Sequence, residues 1–147
     1  MGLDDSFPPL GFRNEDNEIV GYDIDLAKEV VARLGVEFKA QPIDWSAKEM
    51  ELSTGKIDCI WNGFTINGRE DAYTWSQPYV DNSQVVVVSG DSGIKAKGDL
   101  AGKVVAVQKD SSALAALNDE ENKENIALRD SFAELIEYAD YNTAFMD

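Results

Sequence analysis

Histidine is missing altogether, and cysteine occurs once, as Cys59. The first absence removes Ser-His and Cys-His nucleophilic triads and histidine-ligated zinc. The second forbids an intrachain disulfide, so cysteine usage says nothing about the compartment. Cys59 sits in the apolar run Ile57-Asp58-Cys59-Ile60 and reads as a buried, inert thiol. Positive charge is scarce, with 13 Lys and Arg against 28 Asp and Glu and a net charge of −15. A phosphate backbone needs a basic footprint, so this balance argues against nucleic acid and anionic membrane as partners. No apolar run is long enough to span a bilayer. No signal-peptide pattern follows Met1, so an exported form is expected to have lost its leader. Nothing resembles a phosphate loop, a metal-ligand cluster or a nucleophile with its base, and neither metal nor cofactor is expected.

What remains is one chain of 147 residues with 44% hydrophobic side chains, enough for one domain or two small lobes. The stretch Trp61-Asn62-Gly63-Phe64-Thr65-Ile66-Asn67-Gly68-Arg69 follows an apolar strand, Ile57 to Ile60. Its two glycines permit close backbone approach, and Arg69 offers a planar fork suited to a carboxylate. A polar loop at the carboxyl end of a strand is where open α/β sheets bind small molecules. The same residues also suit a turn carrying a surface arginine.

Upstream, Phe7-Pro8-Pro9 holds an extended loop. Leu10–Arg13 and Glu18–Gly21 flank a polar turn as a hairpin. Asp23 is placed to cap a helix with apolar residues at Ala27, Val30, Val31 and Leu34, stopped by Gly35. Residues 36–40 alternate as a strand. Ser46 and Glu49 form a capping-box pattern for a helix running to Gly55, with Trp45 just before it. Val85–Val88 reads as a buried strand that closes a first α/β lobe, residues 1–88. A partial second lobe, 89–147, then begins, with the hinge near 86–89. Its strands are Lys103–Val107 and Leu135–Tyr138, with Ser111-Ser112 capping a helix over 113–117. A helical turn over 126–131 and a short helix capped by Asn142 complete it.

Chemically, Arg69 can hold a carboxylate by two charge-assisted hydrogen bonds. Ser111 and Ser112 at a helix start form a second anion site. Phe7 and Trp45 either pack into the core or sandwich a side chain, and Asp4 either serves the turn or accepts from that side chain's polar end. This points to binding rather than catalysis.

Six motifs identify a resemblance: Asp4-Asp5-Ser6-Phe7-Pro8-Pro9, Val20-Gly21-Tyr22-Asp23-Ile24-Asp25-Leu26-Ala27, Gly55-Lys56-Ile57-Asp58, Thr65–Arg69, Trp75-Ser76-Gln77-Pro78-Tyr79 and Leu100–Gln108. In that order they resemble the polar amino acid-binding proteins of bacterial ABC importers. The resemblance implies a two-lobed, type II periplasmic binding-protein α/β fold with an incomplete second lobe. It places the aromatic clamp on Phe7 and Trp45, and the acid that reads the ligand side chain on Asp4. Asn62, Gly63, Phe64 and Thr65 fall around the α-amino and α-carboxylate groups. Arg69, Gln108, Ser111 and Ser112 fall on the carboxylate. It further implies an L-amino acid ligand between the lobes, a membrane permease as partner, and a periplasmic or lipid-anchored extracellular location.

Two departures are visible. The Thr65–Arg69 loop is one residue shorter than the commoner pattern, which implies a shifted Arg69. The chain also covers only the front part of the family's usual length, short of the acid that binds the ammonium group. A truncated chain is therefore expected to bind weakly, by about one to two decades for one lost charged hydrogen bond. Unpaired strand edges are expected to favour self-association or domain swapping. The alternatives are a small-carboxylic-acid dehydratase of the same fold, with Asp4 or Asp44 as general acid, and the ligand-sensing domain of a receptor. A unit serving packing or assembly alone is the remaining one.

Overall fold

The computed structural model describes residues 1–147. Residues Gly2–Leu3 (β1) pair in parallel with Gln41–Pro42 (β5), and Gly2 bridges Ile60 on the other side. Ser6–Phe7 (β2), Gly11–Arg13 (β3) and Ile19–Val20 (β4) form an antiparallel meander, with Phe7 opposite Gly11 and Arg13 opposite Ile19. The helix Tyr22–Leu34 (α1) follows directly and buries Asp23, Ile24 and Ala27. A 3₁₀ turn over Trp45–Ala47 leads into Lys48–Ser53 (α2). These elements make the first α/β lobe, and Leu3, Ile24, Ala27 and Ile57 form its core.

The second lobe is smaller. Val104–Gln108 (β6) and Glu134–Tyr138 (β7) pair in parallel over five positions, from Val104 opposite Glu134 to Gln108 opposite Tyr138. Ser112–Leu117 (α3) and Lys123–Asp130 (α4) form the crossover, and Tyr141–Met146 (α5) follows β7. Leu100 and Val107 are its buried apolar residues. Only 16 of 147 residues are buried, so both cores are thin and apolar side chains such as Val104 stand uncovered.

Several expectations change. Asp23 does not cap α1. Gly21 is the N-cap, and the first helical donors go to main chain, Tyr22 N–H to Pro9 O at 3.0 Å and Asp23 N–H to Leu10 O at 2.9 Å. A Cβ on Gly21 would lie 2.3 Å from Leu10 O, which explains the glycine. With its donors satisfied this way, the helix leaves the Asp23 side chain free to turn inward. At the other end Gly35 takes the left-handed conformation expected of a helix stop, at φ 69.

The alternating stretch 36–40 is not a strand. Pairing begins only where β1 faces it, with Gln41 N–H donating to Met1 O at 2.9 Å. Residues 57–60 reduce to the single Ile60 bridge, and Cys59 is exposed rather than buried. The capping box does not form because Asp44 already holds Ser46 by its N–H at 2.9 Å and its hydroxyl at 2.7 Å. Glu49 accepts instead from the Tyr73 hydroxyl at 2.9 Å.

Val85–Val88 is not a buried strand. It makes no backbone hydrogen bond, and Val85 and Val87 are 77% and 65% exposed. Hydrophobicity and β-propensity were right for a strand there, but no partner strand faces it. In the second lobe α4 starts earlier than the predicted turn, capped by Asn122, whose Oδ1 accepts from Asn125 N–H at 3.1 Å. Asp140 rather than Asn142 caps α5, accepting from Thr143 N–H at 2.8 Å.

Candidate functional site

The two lobes meet across a cleft of about 270 Å³. That is at the small end of ligand pockets, which run roughly 300–1,000 Å³. Ten of the eleven residues singled out in the sequence line it: Phe7, Trp45, Asn62, Gly63, Phe64, Thr65 and Arg69 from the first lobe, and Gln108, Ser111 and Ser112 from the second. Asp4 does not line it. Its carboxylate lies just behind, accepting from Gln108 Nε2 at 2.7 Å and from Ser6 N–H at 2.9 Å.

Each lining group has local reasons for its position. Gly63 adopts φ 56, and a Cβ there would lie 2.4 Å from Leu10 Cδ1, so this turn requires glycine. Its N–H donates to the Tyr79 hydroxyl at 3.1 Å, and its C=O accepts from Asn82 Nδ2 at 3.2 Å. Gly63 therefore shapes the loop rather than offering a free donor. Asn62 turns back to accept from Asp4 N–H at 3.1 Å. Thr65 Oγ1 lies 2.7 Å from Asn82 Nδ2 and 3.2 Å from Ser112 Oγ, so it reaches both lobes.

Arg69 stacks over the Phe64 ring at 4.9 Å. Its Nη1 donates to Thr65 O at 3.3 Å and its Nη2 to Asp110 O at 3.1 Å. Two of the five guanidinium N–H groups are thus used, leaving others to meet an anion. Despite the shorter loop, Arg69 lines the cleft. Trp75 fixes it from outside, donating Nε1–H to Arg69 O at 3.1 Å and lying 5.0 Å from Phe64.

The expected aromatic pair is separated. Phe7 stacks on Tyr141 of α5 at 5.7 Å, while Trp45 meets Phe64 edge-on at 5.1 Å. Tyr141 therefore closes the cleft over Phe7, a role no sequence motif announced. Ser111 uses its Oγ to accept from Leu114 N–H at 3.2 Å as the cap of α3. That matches the capping expected from its position and leaves Ser112 to face Thr65.

Electrostatically the cleft is lopsided. No carboxylate lines it, while Arg69 does. Beside it, Asp4 is held above the usual carboxylate range, first by burial and then by Asp140 and Asp5, against hydrogen bonds from Ser6 and Gln108. Asp44 is held below its usual range by Ser46 and lies outside the cleft. Lys48 is buried and forms an ion pair with Asp110 of the second lobe at 3.0 Å. Four links thus tie the lobes: Lys48–Asp110, Arg69–Asp110, Thr65–Ser112 and Gln108–Asp4. Sequence reasoning missed Lys48, Asn82, Asp110 and Tyr141. Each acts through a partner distant in sequence, and no motif assigns any of them that role.

The chain matches the description "Bacterial extracellular solute-binding proteins, family 3" over residues 1–138. It is 34% identical over 110 residues to the L-cystine-binding protein TcyJ of Escherichia coli (strain K12), covering 73% of this chain and 41% of that protein. With the arginine-binding extracellular protein ArtP of Bacillus subtilis (strain 168) it shares 31% identity over 125 residues, 84% of this chain and 47% of the relative. The chain therefore spans less than half the length of these two relatives. Among solved structures, an ABC uptake transporter substrate-binding protein from Streptococcus pneumoniae with bound histidine superposes with a TM-score of 0.89 at 38% identity. That match covers 99% of this chain and 59% of the other. The fold, the ordered motifs and these matches together show that the chain belongs to the bacterial extracellular solute-binding proteins of family 3.

Proposed function

We propose that this chain is the solute-binding component of an amino acid ABC importer and takes a free L-amino acid between its lobes. The observation that carries the reading is Arg69 stacked on Phe64 in a small cleft whose other wall is Gln108, Ser111 and Ser112. In this reading Arg69 and the Ser111–Ser112 turn hold the α-carboxylate, and Phe7 and Trp45 flank the side chain. Asp4, released from Gln108, accepts from a side chain with a donor, as in arginine, lysine or glutamine. The relatives named for cystine and arginine support the ligand class. The two units divide near residue 88, with 86–89 as the hinge, and a membrane permease reads the closed form. The protein works outside the cytoplasmic membrane, in the periplasm or lipid-anchored.

The ligand's ammonium group finds no carboxylate among the residues lining the cleft. Lacking a charged hydrogen bond of roughly 1.5–3 kcal/mol, the isolated chain is expected to bind one to two decades more weakly than a complete site. Calorimetric titration with a panel of L-amino acids tests both statements. Weak, saturable binding that Arg69→Gln abolishes is expected; silence across the panel would sink the amino acid reading, and micromolar affinity would sink the weak-binding one.

Enzymatic dehydration is not favoured. Asp44, held ionised and outside the cleft, is a poor proton donor, and Asp4 is engaged by Gln108 and Ser6. Self-association has its own supporting observation, the exposed and unpaired Val85–Val88 run, which offers a second copy an edge to pair with.

A further inference from the structure

The Trp75–Tyr79 motif contributes nothing to the cleft lining, yet its last residue reaches the cleft loop from behind. The Tyr79 hydroxyl accepts from Gly63 N–H at 3.1 Å and donates to Asp23 Oδ1 at 2.8 Å. Three residues later, Asn82 Nδ2 donates to Gly63 O at 3.2 Å and to Thr65 Oγ1 at 2.7 Å. The Gly63 residue is therefore gripped on both its N–H and its C=O. Neither partner belongs to a strand or helix, so side chains do here what a ladder would do elsewhere.

The far end of this chain of contacts is rigid. Asp23 is fully buried in the first turn of α1, between the core and the loop. The Tyr79 ring is confined by Tyr22, stacked at 6.4 Å, and by Trp61, edge-on at 6.2 Å. Asp23 Oδ2 and the Trp61 indole N–H are both buried, and Trp61 joins Tyr79 and Gly63 among the hydrogen-bonding influences on the Asp23 carboxylate. Burial pushes Asp23 above the usual carboxylate range, with the Tyr79 hydroxyl the main opposing influence. Gly63 takes φ 56, a left-handed conformation open to glycine without strain, so the hydrogen bonds from its neighbours rather than sterics select it from the many that glycine allows.

We infer that Tyr79, anchored on Asp23, is a positioning residue that sets the Gly63–Thr65 loop for the ligand, with Asn82 clamping the same loop from its other side. The functional consequence rests on the amino acid reading of the cleft; the positioning itself does not. Tyr79→Phe keeps the ring and its stacking but removes the hydroxyl that satisfies Gly63 N–H. The loop should then sample other conformations, and ligand binding must repay their suppression.

Amide hydrogen exchange and L-arginine titration of the full chain by NMR test this. In Tyr79→Phe the Gly63 amide is expected to exchange at least about tenfold faster, with the β6 amides of Val105–Val107 unchanged. Affinity for L-arginine is expected to fall by about tenfold. Tyr22→Phe, which alters the neighbouring ring but no hydrogen bond to the loop, should change neither. Acceleration spread equally over Gly63 and β6 would mean a merely structural tyrosine and would overturn the inference. So would an unchanged Gly63 amide, or a loosened Gly63 with unchanged L-arginine affinity. If the unaltered chain ignores L-arginine and every other amino acid of the panel, the amino acid reading fails, and the Gly63 exchange rate still decides the positioning. If Tyr79→Phe does not fold, Asn82→Ala at its exposed position serves instead: broadened Gly63 and Thr65 signals are expected, and sharp, unshifted ones would overturn the inference.

Discussion

Asp4 is the residue whose chemistry couples the two lobes most directly. Its carboxyl is raised by burial, and hydrogen bonds from Ser6 and Gln108 offset this only in part. An acid whose folded pKa exceeds its unfolded value favours folding most when protonated. That contribution is complete below the unfolded pKa, near 3.9, and is lost as pH rises through the folded value. Asp4→Asn is therefore expected to stabilise the unliganded chain at pH 7 and to change little at about pH 3. Urea denaturation at both pH values checks this; a loss of stability at pH 7 would mean that the Gln108 and Ser6 hydrogen bonds dominate. A cationic ligand should show the opposite sign, because it needs Asp4 ionised. Its affinity should rise with pH through that same raised pKa, with proton release measurable by calorimetry in two buffers. At this scale the sequence was partly legible. Arg69 and Ser111 announced themselves through residue type and spacing, and the structure puts both at the cleft. Asn62 was placed at the cleft, but its turn toward Asp4, like that of Asp23 toward Tyr79, was not legible, because each partner lies more than fifty residues away. Cys59 was misread because its apolar neighbours suggested a covered strand that is only a single bridge.

Elements were read best where local rules suffice. The helix stop at Gly35 and the cap at Ser111 follow from backbone geometry and short-range hydrogen bonds, and both are observed. Ser111→Ala is accordingly expected to cost about 1 kcal/mol, the usual worth of such a cap. Thermal unfolding followed by circular dichroism measures it, and no change would show that α3 is held by packing alone. Elements were misread where partners decide. Residues 36–40 and Val85–Val88 both carry strand patterns, yet a strand exists only if another backbone faces it. The valine run has none, and its exposure makes it the expected site of self-association. Sedimentation of the chain should show concentration-dependent dimers or larger species that Val86→Lys suppresses. The net charge of −15 opposes approach of a second copy, so added salt should strengthen the association. A monomer at every salt concentration would contradict this.

At the scale of the whole molecule, the lobes are held together by charge as well as by hydrogen bonds. Lys48 is 2% exposed, while its partner Asp110 remains 55% exposed. Lys48 also donates to Trp45 O at 3.2 Å and lies 5.1 Å from the Trp45 ring, so its charge is well supported without ligand. Lys48→Met keeps the length and removes the charge. It is expected to lower stability by about 1–2 kcal/mol, less than a fully buried pair because Asp110 is solvated. It should also open the cleft, visible as a larger radius of gyration in X-ray scattering. The central claim is that a free L-amino acid occupies the cleft against Arg69. The most direct measurement is an NMR titration with L-arginine and with its methyl ester, which lacks the carboxylate. Saturable shifts are predicted at Gly63–Thr65 and Ser111–Ser112 with the acid, and far weaker ones with the ester. Equal responses to both, or no saturable shift at these residues up to about 10 mM, a binding energy below roughly 3 kcal/mol, would contradict the account.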